Sequence, residues 1–227
     1  TKGFKKPLDE RITSSMISTT KDLLGEFNAV LGFTESDEIT LVFPGVDVSV
    51  GQTPIYAGRV QKLASLTAGA SHRDSRSAAQ LSSAQSSILC AGYATARFAF
   101  YLSRCEYKEG EAKLRERATS GMAFFDSRVF TCPTKEDAML AVYWRHKFDC
   151  FKNGVTGLAQ CHFSHKQLDG VHTDDKIKML AQKGIKLADY PKCLFYGTFL
   201  KKEQFEVCFV AVLQLLLTLI RLSGERS

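Results

Sequence analysis

The stretch Asn28-Ala-Val-Leu-Gly-Phe33, Thr34-Glu-Ser-Asp-Glu38, Ile39-Thr-Leu-Val-Phe43 decides the fold of this chain. Two short apolar runs, 28–33 and 39–43, have the length of β-strands, and the second is rich in β-branched and aromatic residues. The five residues between them are polar, as in a tight connection. The pattern predicts a β-hairpin with two adjacent carboxylates, Asp37 and Glu38, at its tip.

Adjacent carboxylates on a turn have a possible chemical use. Both can approach one cation, and a divalent metal ion offsets their mutual repulsion. In most proteins such a pair is only a solvated turn, so the pair alone is weak evidence for a metal site.

The segments that flank the hairpin are predicted to be helical. Pro7-Leu-Asp-Glu10 suits a helix start, apolar residues then recur at helical spacing, and Gly25 marks the end. After the hairpin, residues 56–69 have helical spacing and place Arg59 and Lys62 on one face. The order helix, strand, carboxylate turn, strand, basic helix matches the polymerase palm, in which a sheet displays carboxylates that hold Mg²⁺.

The rest of the chain gives weaker signals. Residues 71–92 are rich in serine and poor in large apolar groups, which indicates a loop or an insertion. The tail 207–222 is apolar, but its 16 residues fall below the ~20 that span a bilayer, so a core helix is favoured over a membrane anchor or an incorrect gene-model end. The other predicted elements are strands at 122–130 and 194–200, helices at about 94–102, 133–148, 153–164 and 174–183, and a charged connector at 108–117.

Composition excludes several classes of protein. With 227 residues, 44% hydrophobic and 24% charged, the chain is neither disordered, collagenous nor a coiled coil. The net charge of +6 is uneven, because residues 1–70 carry 7 basic and 8 acidic side chains. The surplus therefore lies further along, which permits a polyanionic partner without proving one. Seven cysteines without CxxC spacing indicate reduced thiols, so we expect a cytoplasmic protein, or alternatively a mitochondrial one.

Six segments together carry a family resemblance. They occur in the order seen in the tRNA-histidine guanylyltransferase family, and the chain most resembles its guanylyltransferase-like branch, the 3′–5′ polymerases that repair tRNA 5′ ends. The resemblance covers about residues 3–70 and 93–200, and the hairpin is specific only in combination with the downstream Phe-Asp-x-Arg-Val segment. The six segments are Phe4-Lys-Lys-Pro-Leu-Asp-Glu10, Gly32-Phe-Thr-Glu-Ser-Asp-Glu-Ile-Thr-Leu-Val-Phe43, Arg59-Val-Gln-Lys62, Phe125-Asp-Ser-Arg-Val129, Trp144-Arg145 and Asp149-Cys-Phe-Lys-Asn153.

The resemblance implies a fold and an activity. The fold is α+β, a polymerase-palm or ferredoxin-like antiparallel sheet with flanking helices, in a domain over 1–203 that lacks its first strand and precedes the tail 204–227. The activity is addition of G to tRNA-His, or templated repair, at the tRNA 5′ end. A nucleotide activates the 5′ phosphate, the 3′-hydroxyl of GTP or another NTP attacks it, and pyrophosphate or AMP leaves. Two Mg²⁺ ions, ATP and GTP as substrates, tRNA as partner, a homo-tetramer and no membrane are implied with it.

The resemblance also assigns roles to residues of this chain. Asp37 is implied as the catalytic carboxylate that bridges both metal ions, with Glu38 beside it as the second metal ligand, and Ser36 lies near the activating nucleotide. The other implied contacts are Lys5, Lys6 and Asp9 lining the nucleotide pocket, Arg59 and Lys62 on the triphosphate or the tRNA 5′ end, and Arg128, Lys152 and Asn153 near nucleotide or RNA.

Some positions depart from the family pattern. The family's first metal-binding Asp lies in an Asp-Gly-Arg-like segment just before Phe4, and this sequence begins after that point, so an incomplete metal site is expected. Position 35 is Glu where relatives often carry Gln, and Phe151 stands where some carry His. Residues 71–92 interrupt what would otherwise be one helix, which suggests unspliced intron sequence.

Alternatives remain open at this point. A palm-fold nucleotide cyclase also uses a carboxylate-bearing hairpin, and a catalytically dead RNA-binding fragment would keep the fold without turnover. Asp126 and Arg128 could be a structural ion pair on the predicted strand. Trp144 is expected to pack in the core, and the five histidines show no metal-ligand spacing.

Overall fold

The sheet is built around one central strand. In the computed structural model, β1 (Leu31–Glu35) pairs antiparallel with β2 (Glu38–Val42) on one edge and with β3 (Thr198–Lys201) on the other. The described part of the chain comprises residues 3–45, 86–121, 123–128, 130 and 132–203. An antiparallel sheet with flanking helices confirms the predicted α+β class.

The two faces of β1 bury different partners, because successive side chains on a strand point to opposite sides. One face approaches the first helix, α1 (Glu10–Glu26), so closely that a Cβ at Gly32 would lie 2.7 Å from Cγ2 of Thr20. The other face carries Phe33, which is 1% exposed and packs with Val142 and Cys150. The sheet is therefore covered on both sides.

The helix α1 starts and ends close to where the sequence predicts. Asp9 is its N-cap, and its side chain accepts a hydrogen bond from the backbone N–H of Arg11. Met16, Leu23 and Leu24 form the buried stripe against the sheet and the next helix. The apolar spacing read from the sequence is thus the core-facing side of this helix.

Helices make up most of the remaining described chain. The helix α2 crosses α1, and its Phe98 and Leu102 share a buried cluster with Met16. A second cluster lies between α5 and α7, with Val155, Leu158 and Leu180 at its centre. The elements are α2 (Ser86–Ser103), a 3₁₀ turn (Glu109–Glu111), α3 (Ala112–Thr119), α4 (Lys135–Trp144), a π-helical segment (Arg145–Cys150), α5 (Phe151–Gln160), α6 (His165–Leu168), α7 (Thr173–Gln182), a 3₁₀ turn (Leu187–Asp189) and α8 (Cys193–Tyr196).

Most predicted elements are confirmed, with shifted ends. The hairpin is present, and the helices predicted at 94–102, 133–148, 153–164 and 174–183 correspond to α2, α4 with the π-helical segment, α5 and α7. The predicted helix 56–69 and the tail 204–227 lie outside the described residues. Whether 71–92 is an insertion stays a prediction, but its loop interpretation is wrong from residue 86 onward, where α2 begins.

The strand predicted at 122–130 is wrong. Residues 123–128 keep the alternating exposure of a strand, with Phe124 78% exposed and Phe125 partly buried against Phe98. However, the Phe125 N–H donates to Oγ1 of Thr95 on α2, and no strand pairs with this segment among the described residues. Alternation alone therefore did not identify a strand.

Three smaller predictions are also wrong. The charged connector 108–117 is a 3₁₀ turn followed by α3, whose Ala118 reaches the core. The final strand starts only at Thr198, because Cys193–Tyr196 forms a helical turn. Trp144 does not pack in the core, since it is 53% exposed.

Gly197 allows the chain to pass from α8 into β3. Its φ is +65°, and a Cβ there would lie 2.5 Å from Cε2 of Phe33 and 2.8 Å from the Thr34 carbonyl oxygen. We expect Gly197→Ala to lower the free energy of unfolding by about 2 kcal/mol or more, since it adds a clash to a strained backbone. Urea denaturation measures this change.

Gly157→Ala is the matched control. Gly157 lies inside α5, and a Cβ added there would meet no described atom within 4 Å beyond its own stretch of helix. Alanine at this position should therefore raise stability by about 0.5–1 kcal/mol. Equal stability of the Gly197→Ala variant and the parent would contradict the role given to Gly197.

Candidate functional site

The hairpin tip places two carboxylates side by side. Glu35 ends β1 and Glu38 begins β2, and the two are direct partners in the antiparallel register. Directly opposed residues point to the same face of a sheet. Ser36 and Asp37 form the exposed link between the strands, with Ser36 at φ +49°. The predicted metal pair is thereby divided, because Glu38 belongs to the strand and Asp37 to the turn.

The π-helical segment brings charged groups to the same place. Arg145 donates a hydrogen bond to Oδ2 of Asp149 over 2.6 Å, one helical turn along, and forms an ion pair with Oε2 of Glu38. Cys150 and Val142 pack beneath this contact on Phe33. Apolar packing thus sets the distance between the hairpin and the helical layer, and Arg145 links the two electrostatically.

The result is a cluster of three carboxylates. Glu35, Glu38 and Asp149 each place an oxygen within 4.8 Å of the others. Glu35 is only 4% exposed, and neither of its carboxylate oxygens has a nitrogen or oxygen partner among the described residues. Burial raises the pKa of Glu35, whereas the Cys150 thiol and the Arg145 charge oppose that rise. Such an oxygen set suits a hard divalent cation.

Sequence reasoning missed this cluster. It noted Glu35 only as a departure from the family, and Arg145 and Asp149 only as members of resembling segments. The spacing of Arg145 and Asp149, four residues apart, signals a local ion pair. Nothing in the sequence indicates that this pair lies over the hairpin, because that contact spans more than 100 residues of chain.

The start of α1 contains a second charged group. The carboxylate of Asp9 accepts hydrogen bonds from the backbone N–H of Lys5 and from the backbone and side chain of Arg11. Arg11 also pairs with Glu111 at 2.8 Å. The Arg11 hydrogen bonds lower the pKa of Asp9 to about 2, against a smaller opposing effect of burial. The observed partners of Asp9 are protein groups, so its place in the nucleotide pocket stays a prediction.

The beginning of α1 and the hairpin tip share a narrow crevice. It is far smaller than a nucleotide, and Ser36 and Asp37 are exposed on the open side of the tip. Lys5 and Lys6 are exposed just before α1. The crevice is lined by Leu8, Thr13, Met16, Thr34, Glu35, Ser36, Cys193 and Thr198.

The remaining predicted site residues are spread over other elements. Lys152 and Asn153 are exposed on the first turn of α5, directly after the π-helical segment. Arg128 lies 3.5 Å from Asp126 in an ion pair that is almost fully exposed and not on a strand. Arg59 and Lys62 lie outside the described residues.

Comparison with known proteins identifies the family. The family model described as Thg1, tRNAHis guanylyltransferase, matches residues 1–133, which is more than half of the chain. The chain belongs to the tRNAHis guanylyltransferase family.

Solved structures of this family share the fold. A bacterial tRNAHis guanylyltransferase-like protein in complex with ATP is 26% identical, with a TM-score of 0.63, over 89% of this chain and 73% of that chain. A bacterial guanylyltransferase-like protein in complex with GTP is 22% identical, with a TM-score of 0.61, over 91% and 70% of the two chains. The palm-type α+β architecture implied by the resemblance is therefore confirmed.

A curated viral relative is also similar. The uncharacterized protein R259 of Acanthamoeba polyphaga mimivirus is 27% identical over 89% of this chain. This chain spans 65% of the length of that relative.

None of the helices that the structure describes combines the length and apolar character required to cross a membrane.

The Asp9 carboxylate provides a pH-dependent test of the site's framework. The hydrogen bonds that lower the pKa of Asp9 stabilise the fold at pH values above about 4, where the carboxylate is ionised. This stabilisation is lost as the pH falls through about 2 and the carboxylate takes up a proton. Asp9→Asn keeps the helix cap and removes the charge. We expect it to lower the free energy of unfolding by about 2 kcal/mol at pH 6, with the deficit narrowing towards pH 2.

Urea denaturation of both proteins from pH 6 to pH 2 measures this difference. Asp169→Asn is the control, because Asp169 is exposed between α6 and α7. Its replacement should change the free energy of unfolding only slightly at every pH. A deficit for Asp9→Asn that stays constant down to pH 2 would show that the charge of Asp9 is not what stabilises the fold.

Proposed function

We propose that this chain is a nucleotidyltransferase that extends tRNA at its 5′ end, with ATP and GTP as substrates. The observation that carries the proposal is the exposed Ser36-Asp37 turn at the tip of a palm-type hairpin, in a member of the tRNAHis guanylyltransferase family. A relative of the same fold is named for its complex with ATP, which supports a nucleotide site in this fold. Addition of G to tRNA-His and templated 5′-end repair are both forms of this activity.

Asp37 is the best candidate to hold Mg²⁺ for this reaction. It is exposed, and it forms no ion pair within the described part of the chain, so its carboxylate suits a hard cation. Glu38 is the weaker candidate for this ion, because it begins β2 and faces Glu35 and Arg145, whereas Asp37 lies on the exposed turn. Mg²⁺ bound here would neutralise charge on the transferred phosphoryl group.

The chain's own groups would position the nucleotide and the RNA. Ser36 is exposed beside Asp37, and Lys5 and Lys6 are exposed just before the start of α1. Lysine side chains bind phosphate as point charges. The tight network around Asp9 fixes the backbone that carries these lysines.

The predicted RNA contacts fit exposed basic and polar positions. Lys152 and Asn153 are exposed at the start of α5, and Arg128 is exposed on the irregular segment before α4. Cationic side chains on phosphates would make RNA binding sensitive to salt. Arg59 and Lys62 are proposed for the triphosphate or the tRNA 5′ end on the resemblance alone.

A homo-tetramer remains part of the proposal. The surface of α4 and the π-helical segment exposes several large apolar side chains, which is typical of an interaction surface. They are Met139, Leu140, Tyr143, Trp144 and Phe148.

A nucleotide-transfer assay tests the proposal. The 227-residue chain, and the same chain preceded by an Asp-Gly-Arg segment, are incubated with 5′-labelled tRNA, ATP, GTP and Mg²⁺. We expect tRNA products longer by one or more nucleotides. Asp37→Asn should slow extension at least a hundredfold, because removal of one transition-state contact lowers kcat by about 10²–10³ in other enzymes. Asp169→Asn should extend at the parental rate.

Three results would contradict the proposal. Absence of extension by both chains would exclude transfer, and unchanged extension with Asp37→Asn would exclude the assigned carboxylate. Formation of cyclic nucleotide from NTP alone would instead indicate a cyclase.

A further inference from the structure

Glu35 is the feature that the nucleotidyltransferase proposal does not use. The residue is only 4% exposed at the end of β1, and neither carboxylate oxygen has a nitrogen or oxygen partner among the described residues. An ionised carboxylate buried in this way is strongly destabilising unless another charge compensates it. The Cys150 thiol and the charge of Arg145 compensate it only in part, so a proton or a bound cation would complete the compensation.

The charges around Glu35 leave room for a divalent cation. Glu35, Glu38 and Asp149 together carry three negative charges when ionised, Asp37 adds a fourth nearby, and Arg145 supplies one positive charge. A net negative charge therefore remains around Glu35, and a bound divalent cation would reduce it.

Arg145 does not engage every oxygen of the three carboxylates. The guanidinium contacts Oε2 of Glu38 and Oδ2 of Asp149. Each of those carboxylates has a second oxygen, and both oxygens of Glu35 lack a nitrogen or oxygen partner among the described residues. Arg145 can thus keep its contacts and orient two ligands while the other oxygens face a metal ion.

The coordination chemistry of the two common cations favours Ca²⁺ at this cluster. One oxygen from each carboxylate lies within 4.8 Å of the others, which is close enough for all three to reach one ion. Ca²⁺ accepts oxygen ligands in irregular geometry, whereas Mg²⁺ demands a nearly ideal octahedron and loses its water reluctantly. Three carboxylates whose positions are set by the fold therefore suit Ca²⁺ better than Mg²⁺.

We propose that Glu35, Glu38 and Asp149 form a divalent-cation site between the base of the hairpin tip and the π-helical segment, separate from the Mg²⁺ site assigned to Asp37. Bound there, the ion would join the hairpin, through Glu35 and Glu38, to Asp149 of the helical layer more than 100 residues further along the chain. The site depends on glutamate at position 35, because a glutamine would supply one neutral oxygen and no charge. It also needs neither nucleotide nor tRNA.

Isothermal titration calorimetry of the full 227-residue chain with CaCl₂ and, separately, with MgCl₂ tests the site. We expect Ca²⁺ to bind with a Kd below about 1 mM and more tightly than Mg²⁺. Glu35→Gln has nearly the same shape, and it should weaken Ca²⁺ binding at least about tenfold. Asp149→Asn should act in the same direction, with circular dichroism reporting whether each variant is folded.

Asp37→Asn is the control that separates the two metal sites. It should change the Ca²⁺ affinity of the Glu35 site less than about threefold, since its exposed charge is largely screened. The heat of Ca²⁺ binding is measured without nucleotide or tRNA, so it does not depend on nucleotide transfer. Failure of the functional proposal can therefore be distinguished from failure of the cation-site proposal.

Three outcomes would overturn the proposal. The parent chain could give no heat with either cation, which would mean that Glu35 is protonated instead. Glu35→Gln could bind Ca²⁺ with parental affinity. Finally, Asp37→Asn could abolish binding while Glu35→Gln does not, which would place the cation at the turn.

Discussion

Pairing of β1 on both of its edges is the constraint on which the described structure depends. The register fixes Phe33 opposite Thr40 and Phe199, and it fixes Glu35 opposite Glu38 at the open end. A shift of one residue would turn Phe33 outward and remove both carboxylates from the helical layer. The apolar core and the charged cluster are therefore set by the same hydrogen-bond ladder.

Apolar packing at the end of β1 buries a carboxylate, and this burial has an electrostatic cost. Phe33, Val142 and Cys150 draw the π-helical segment onto the sheet, and this contact buries Glu35 and raises its pKa. Burial and the Glu35 carboxyl also raise the pKa of the Cys150 thiol, so that residue acts as a neutral core group. Arg145 offsets part of the charge, but it pairs with the two less buried carboxylates.

Local signals in the sequence predicted local structure well. The hairpin follows from two apolar runs around a polar link, α1 from its acidic start and apolar stripe, and α7 from its spacing and Gly184, which has φ +76°. Contacts between distant segments could not be predicted in this way. Residues 123–128 alternate as a strand would, but no described strand pairs with them. Arg145 reaches Glu38 because Phe33 packs against Val142 and Cys150, and a short stretch of sequence cannot reveal that contact.

The division of the hairpin carboxylates connects the two proposals. Asp37 is exposed on the turn, where the proposed function requires a metal ion, whereas Glu38 faces Arg145 and Glu35. A cation at the Glu35 cluster would brace the strand ends from which the turn projects, and so would restrict the positions that Asp37 can take. Because the resemblance points to glutamine at this position in many relatives, such bracing would be a property of this chain added to the family fold. The orientation of the turn would then depend on the occupancy of a second metal site that does not itself touch the substrate.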